Sequence, residues 1–176
     1  MTQHDLKVKI EKPFANLFRK SHVMIVVKDI DGNFVLGTKT TYPEGISRFL
    51  GGGVDKDENI EIAAKREVKE EIGVDNAAVT PLTKILITAS TENDEYILET
   101  TVYFLDGKYL HLSAGDDVSE LVILKPKEIL DLADKYDTLT GTFTSGSYSH
   151  QWSDYGKVYG PLHRIVYEEL NRQGLL

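Results

Sequence analysis

The chain contains no cysteine among its 176 residues, and this absence excludes several kinds of site. Without a thiol, the protein has no disulfide framework, no thiolate metal site and no cysteine nucleophile. A chain without cysteine also fits a reducing compartment, and we predict a cytoplasmic protein.

Long apolar runs and an excess of positive charge are also missing. The N-terminus, MTQHD, lacks the apolar segment of a signal peptide, and no run reaches the roughly 20 residues of a membrane span. The formal net charge is -8, whereas binding to a nucleic acid polymer requires a basic surface. We therefore expect neither a nucleic acid polymer nor a membrane as partner. The Gly-x-x-x-x-Gly-Lys-Ser/Thr pattern of ATP-binding loops is absent as well.

Length and composition are typical of one globular domain. Residues 1–20 are polar and mixed, and they predict an N-terminal extension that packs loosely or begins an edge strand. Residues 21–176 are predicted to form a single domain. Strand-forming residues on both sides of Asp31-Gly32 predict a hairpin. The expected strands cover residues 22–28, 34–36, 84–90, 96–105 and 120–124.

Residues 59–72 form the clearest helical pattern. Asn59 is a suitable N-cap and Gly73 a suitable C-cap, and apolar residues recur every four positions between them. Strands and helices alternate loosely, with hairpins among the strands, which predicts a mixed α/β sandwich of the α+β type. Residues 127–136 and 162–172 are predicted to form two more helices, and residues 141–160 are predicted to form a long loop.

Three glutamates of the predicted helix lie on one face. Glu67, Glu70 and Glu71 are spaced i, i+3 and i+4, so their carboxylates crowd together and repel. A hard divalent cation such as Mg²⁺ would turn this repulsion into attraction. A solvated acidic surface is the alternative, and the three residues alone do not separate the two interpretations.

The surroundings of these glutamates favour the metal site. A glycine cluster precedes the helix, where a bare backbone can approach a ligand closely. The segment consists of Gly52, five residues, Glu58, seven residues, Arg66-Glu67-Val68, Lys69, Glu70-Glu71, Ile72 and Gly73-Val74. This segment resembles the Nudix box at every defining position. The resemblance implies a Nudix-like α/β/α sandwich with a mixed sheet and a catalytic loop and helix.

The same resemblance implies the roles of the box residues. It implies a Mg²⁺ or Mn²⁺ site formed by Glu67, Glu70, Glu71 and the carbonyl of Gly52, and a supporting pair formed by Glu58 and Arg66. The implied reaction is hydrolysis of a diphosphate linkage in a nucleoside diphosphate joined to another moiety. Such substrates include nucleotide sugars, ADP-ribose, dinucleotides and nucleoside triphosphates, oxidised ones among them.

The general base of such a reaction is either a box glutamate or an acid of a later loop. The later candidates are Glu95, Asp116, Asp117 and Glu120. Of these we favour Glu120, for which the alternative is a solvated acid at a strand edge.

Substrate contacts are predicted from residues just before the glycines. Phe49 and Tyr42 could stack on a base or sugar, and Lys39 and Arg48 could bind phosphates. The alternatives are a place in the core for the rings and an ordinary surface for the charges. The aromatic segment 148–155 resembles a lid or a homodimer contact.

Three alternatives to a hydrolase are considered. Nudix-fold isomerases of prenyl diphosphates rely on a cysteine, which this chain lacks. A non-catalytic nucleotide-sensing module is the second alternative, but such modules tend to lose box acids, and all are present here. A purely structural acidic domain does not explain a complete box.

Overall fold

A mixed sheet forms the centre of the protein in a computed structural model, which describes residues 1–107, 111–115 and 117–176. Its six strands lie in the order β1-β4-β5-β2-β3-β6. β1 runs parallel to β4 and β2 parallel to β5, while the other neighbouring pairs are antiparallel. The strands are β1 (Thr2–Lys9), β2 (Ser21–Lys28), β3 (Phe34–Thr38), β4 (Thr80–Ser90), β5 (Glu95–Asp106) and β6 (Glu120–Leu124).

Helices cover both faces of this sheet. They are α1 (Ile60–Ile72), α2 (Glu128–Asp137) and α3 (Trp152–Arg172), and a short 3-10 helix covers Ala15–Phe18. Alternate residues of β2 face opposite sides, as the pleat requires. Val23 and Ile25 belong to the core beneath α1, whereas Met24 belongs to the core shared with α2 and α3. The predicted α/β/α sandwich with a mixed sheet is therefore confirmed.

Helix α1 has the ends that its sequence predicts. The side chain of Asn59 accepts hydrogen bonds from the backbone N–H groups of Glu61 and Ile62, which would otherwise lack partners. Gly73 ends the helix in the left-handed region, with φ of 72°. Its buried apolar side chains, Ala63, Ala64, Val68 and Ile72, pack against the central strands.

The N-terminal residues contribute to the same sheet and core. β1 is an edge strand paired with β4 from Thr2↔Thr83 to Lys9↔Ser90. Residues 1–20 also bury side chains in the core cluster that contains α3, namely Leu6, Ile10, Phe14 and Leu17.

The prediction of a long loop over residues 141–160 is wrong. The segment forms a hairpin, β7 (Thr142–Ser145) and β8 (Tyr148–Gln151), followed by the first half of α3. The segment is rich in glycine, serine and tyrosine, and glycine has a low helix propensity, which favoured a loop in the sequence. A Cβ on Gly156 would collide with the carbonyl oxygen of Tyr136. The missing side chain therefore lets α3 cross α2 closely, and this packing outweighs the low helix propensity.

None of the helices in the described part of the chain is long and apolar enough to span a membrane.

Candidate metal and phosphate site

The three box glutamates of α1, Glu67, Glu70 and Glu71, line a cleft of about 290 Å³. The cleft is bounded by the glycine loop, residues 51–53, and by the acidic face of α1. Two further acids lie outside the helix, so that the acidic lining consists of Asp55, Glu67, Glu70, Glu71 and Asp117. The structure thus brings together the three glutamates and Gly52 that the sequence predicts as metal ligands. A larger cleft of about 430 Å³ lies elsewhere, against α2 and β6.

Arg66 connects the carboxylates of the box. Its Nε and Nη2 donate to the two carboxylate oxygens of Glu58, each at 3.0 Å, in a two-pronged arrangement. Nη2 also donates to the carbonyl of Gly53 at 2.9 Å. Nη1 donates to Glu67 at 2.7 Å and to Glu70 at 3.0 Å. The Arg66–Glu58 pair therefore fixes the glycine loop against α1, as a supporting pair would.

Gly52 leaves room for the carboxylate of Glu67. A Cβ at position 52 would lie 2.6 Å from the carboxyl carbon of Glu67 and closer still to its Oε1. The carbonyl of Gly52 accepts a hydrogen bond from the N–H of Val23 at 2.9 Å, and one lone pair remains for another partner. Position 52 thus needs glycine because the Glu67 carboxylate occupies the space of a side chain.

Glu71 is the most buried acid of the cleft, with 3% of its surface exposed. One carboxylate oxygen accepts a hydrogen bond from the backbone N–H of Gly51 at 2.5 Å. Burial raises the pKa of Glu71 to about 7, and the nearby charge of Arg48 only partly opposes this shift. Burial likewise raises the pKa of Glu67. The cleft therefore holds two carboxylates whose charged form is disfavoured by burial.

This donor set fits a hard divalent cation in its chemistry. Carboxylate and carbonyl oxygens are the ligands of Mg²⁺, and a bound cation would favour the charged form of both buried carboxylates. Among the described residues, however, no three Asp, Glu, His or Cys side chains are already clustered as a metal site. Arg66 instead bonds both Glu67 and Glu70. A cation would therefore compete with Arg66 for these two carboxylates.

Glu120, the favoured base, is placed elsewhere. It begins β6 opposite Thr38 and lines the larger cleft against α2. The cleft that holds the box glutamates does not include Glu120, so its position does not support the predicted role as base. Asp117, from the same set of candidates, does line the cleft of the box glutamates. Asp116 lies outside the described residues.

The predicted substrate residues divide into two groups. Lys39 and Arg48 both line the acidic cleft. Arg48 is held there by donating to the carbonyl of Gly51 at 3.1 Å and to the hydroxyl of Tyr159 at 3.3 Å. Phe49 is only 1% exposed, and its ring stacks on His163 with centroids 5.0 Å apart. The prediction that Phe49 stacks on a substrate is therefore wrong, because its ring is part of the core.

Sequence reasoning missed His22, which also lines the cleft. It is 3% exposed, and its Nε2 has no hydrogen-bond partner within the described ranges. Burial lowers the pKa of His22 to about 3, helped by the charges of Arg48 and Arg19, so the imidazole is neutral at pH 7. His22 is the second residue of the buried strand β2, and it forms an isolated bridge to Gly53 of the glycine loop. A single histidine in a strand gave no reason to assign it a role.

Comparison with solved structures shows the same fold in several proteins. A NUDIX hydrolase from Listeria monocytogenes, described as putative, aligns over 86% of this chain and 97% of its own, at 16% identity and a TM-score of 0.54. The dihydroneopterin triphosphate pyrophosphohydrolase of E. coli aligns over 65% and 86%, at 15% identity and a TM-score of 0.54. The NUDIX domain of Shewanella oneidensis NrtR, solved with ADP ribose, aligns over 64% and 77%, at 18% identity and a TM-score of 0.51.

A search of curated proteins gives no match. The model of the NUDIX domain family matches residues 18–142, which is most of the chain and includes the whole box. With the sandwich, the box geometry and this match in agreement, the chain belongs to the Nudix family.

Proposed function

We propose that this chain is a Mg²⁺- or Mn²⁺-dependent hydrolase that cleaves a diphosphate linkage in a nucleoside diphosphate joined to another moiety. The observation that carries the proposal is the cleft in which Glu67, Glu70 and Glu71 face two cationic side chains, Lys39 and Arg48. Acids that hold a cation and cations that hold phosphates are the two requirements of phosphoryl transfer chemistry.

The residues of the cleft have separable tasks. Glu67, Glu70, Glu71 and the Gly52 carbonyl would hold the cation, which supplies neutralisation of phosphate charge and activation of water when bound. Lys39 and Arg48 would bind the phosphate oxygens. Glu58 and Arg66 are positioning residues, since they hold the loop and the helix together.

Asp117 replaces Glu120 as our candidate for the general base. It would accept a proton from the attacking water while the water oxygen forms a bond to phosphorus. The bond between phosphorus and the bridging oxygen breaks, and the leaving phosphate takes up a proton. Asp117 is chosen because it is the acid of the later loop that lines the catalytic cleft.

A substrate panel tests the proposal. The protein with Mg²⁺ would be incubated with nucleotide sugars, ADP-ribose, dinucleoside polyphosphates and oxidised nucleoside triphosphates, and phosphate or nucleoside monophosphate release would be measured. We expect release with at least one of them, and a loss of about 100-fold or more in Glu71→Gln. Glu61→Gln is the matched control, because Glu61 is an exposed acid of the same helix that pairs with Lys65. Equal activity of Glu71→Gln and wild type would refute the site.

A nucleotide-sensing module is the remaining alternative. The NUDIX domain of NrtR, of the same fold, was solved with ADP ribose, so ligand binding on this fold has a precedent. Binding of Mg²⁺ and nucleotides without turnover of any panel member would favour this alternative. The complete set of box acids supports the hydrolase instead.

A further inference from the structure

A second cleft, of about 200 Å³, opens beside the catalytic one. Asn16, Lys39 and Arg48 line both clefts, so the two are continuous around these side chains. Aromatic rings dominate the second lining, namely Phe14, Tyr42, Phe143, Tyr148, Trp152 and Tyr155. Three of these rings are close together, since Trp152 lies 5.3 Å from Tyr155 and 6.1 Å from Tyr42, between centroids.

Hydrogen bonds join the two chain segments that form walls of this aromatic cleft. The buried carboxylate of Asp154 accepts hydrogen bonds from the backbone N–H groups of Glu11 and Lys12, at 3.0 and 2.9 Å. These bonds join the N-terminal segment to the start of α3. Most of the rings lie outside residues 18–142, the part that the family model matches. The aromatic cleft is therefore a feature of this chain's terminal segments rather than of the matched domain.

Two side chains of the aromatic cleft carry buried polar atoms without partners in the described part of the chain. They are Nε2 of His150, a residue 7% exposed, and the hydroxyl of Tyr155, a residue 5% exposed. A buried polar atom without a partner has lost its hydrogen bonds to water and gained none in return, which destabilises the folded protein. Each such atom in a native protein calls for an explanation, and an absent ligand is one.

A hydrogen-bond network surrounds the ring of His150. The backbone N–H of Ala15 donates to the Tyr148 hydroxyl oxygen at 2.7 Å. That hydroxyl lies 3.2 Å from Nδ1 of His150. Burial lowers the pKa of His150 and favours its neutral ring, in which Nε2 donates or accepts according to the tautomer. The lining of the aromatic cleft thus includes two side chains with an unpartnered polar group, Nε2 of His150 and the hydroxyl of Tyr155.

We propose that the aromatic cleft binds the base of a nucleotide substrate, a flat heteroaromatic ring with hydrogen-bond donors and acceptors, while its phosphates extend past Lys39 and Arg48 to the box acids. A nucleobase stacks on aromatic rings and carries donors and acceptors that match the two unpartnered polar groups. An alkyl chain would fill an apolar space but leave both polar groups unpaired. The phosphate end of this proposal rests on the proposed function, whereas the base end does not.

The size of the two clefts supports the same assignment. Small-molecule sites usually measure roughly 300–1,000 Å³. The aromatic cleft, at about 200 Å³, and the catalytic cleft, at about 290 Å³, are each below that range. A base in one and a diphosphate in the other would use both, and Arg48, half-buried between them, would contact the phosphates nearest the sugar.

Fluorescence provides a test that does not depend on catalysis. Trp152 is the only tryptophan of the chain, and it lines the aromatic cleft. The metal-free protein would be titrated with AMP, GMP, UMP and CMP, and with ribose 5-phosphate and isopentyl diphosphate. We expect saturable quenching by at least one nucleotide and none by ribose 5-phosphate. No quenching by any of the four nucleotides, or quenching by isopentyl diphosphate alone, would overturn the proposal.

Two tyrosine variants separate ligand binding from folding. Tyr155→Phe removes an unpartnered hydroxyl, so we expect nucleotide affinity to fall about tenfold while the melting temperature stays equal or rises. Tyr136→Phe is the matched control. Its hydroxyl donates to the carbonyl of Ser47 at 2.8 Å and does not line the aromatic cleft. We expect this variant to melt earlier and to keep its affinity. Unchanged affinity in Tyr155→Phe and in His150→Phe would show that neither polar group contacts the ligand and would refute the assignment.

Failure of the base-binding proposal can be distinguished from failure of the hydrolase proposal. Nucleotide binding with no turnover of any substrate would leave the aromatic cleft assigned and remove the hydrolase. Turnover with no effect of nucleotides on Trp152 fluorescence would support the hydrolase and refute the assignment of the aromatic cleft.

Discussion

Replacing Gly52 by alanine should separate activity from folding. The added Cβ would lie 2.6 Å from the carboxyl carbon of Glu67, where ordinary contact begins at 3.4 Å. Gly52 does not have the positive φ that strains an alanine, and the obstructing group is the end of a flexible side chain. The Glu67 carboxylate must therefore retreat by about 1 Å, a displacement that costs about 100-fold in rate at a reacting centre. We expect the free energy of unfolding to change by less than about 1 kcal/mol.

Three measurements on Gly52→Ala check this reasoning. These are kcat/KM for whichever panel substrate is cleaved, Mn²⁺ affinity by electron paramagnetic resonance, and stability by urea denaturation. Gly51→Ala is the contrasting variant. Gly51 has a φ of 130°, and its Cβ would meet the backbone of Val23 and Met24, so we expect a loss of at least about 3 kcal/mol of stability. Full activity and Mn²⁺ affinity in Gly52→Ala would refute the role of the Glu67 carboxylate.

Three further perturbations address pH, positioning and packing. Burial lowers the pKa of His163 to about 4, so the unfolded chain protonates first as pH falls. The contribution of neutral His163 to the free energy of unfolding is therefore complete above about pH 6.5. About 2 kcal/mol of it is lost between pH 7 and pH 5, as urea denaturation would measure. The loss should be smaller in His163→Phe, and an equal loss there would contradict the assignment. Arg66→Lys cannot make the two-pronged bond to Glu58 and should lower kcat by about tenfold without abolishing it, as a rate assay would show. Gly156→Ala should lower the melting temperature strongly, because its Cβ meets the backbone oxygen of Tyr136; an unchanged value would contradict the close crossing of α2 and α3.

The sequence predicted the local features well because they depend on local chemistry. The Asn59 cap, the Gly73 end and the central hairpin rest on side chains within a few residues of each other. The spacing of the box acids on one helix predicted their shared face, whereas their role as metal ligands was implied by the resemblance to the Nudix box.

What the sequence did not predict depends on contacts between distant segments. The glycine-rich composition of residues 141–160 predicted a loop, whereas Gly156 lets the first half of α3 pack closely against α2. Glu120 and Asp117 are near neighbours in the chain, yet they line different clefts, because Glu120 is the first residue of β6 and Asp117 lies in the loop before it. The burial of Phe49 likewise depends on His163, which is far away in sequence.

The bonds that join the two ends of the chain have a consequence for how the protein can be divided. Arg172 donates to the hydroxyl of Thr2 at 2.8 Å, and His4 lies 2.8 Å from a carboxylate oxygen of Glu169. A fragment trimmed to the family match, residues 18–142, would lack both β1 and α3. Its sheet would present the long edge of β4, a template for aggregation, and would leave much of one core uncovered. The unit recognised by homology is therefore smaller than the unit that folds, and recombinant fragments should keep both termini.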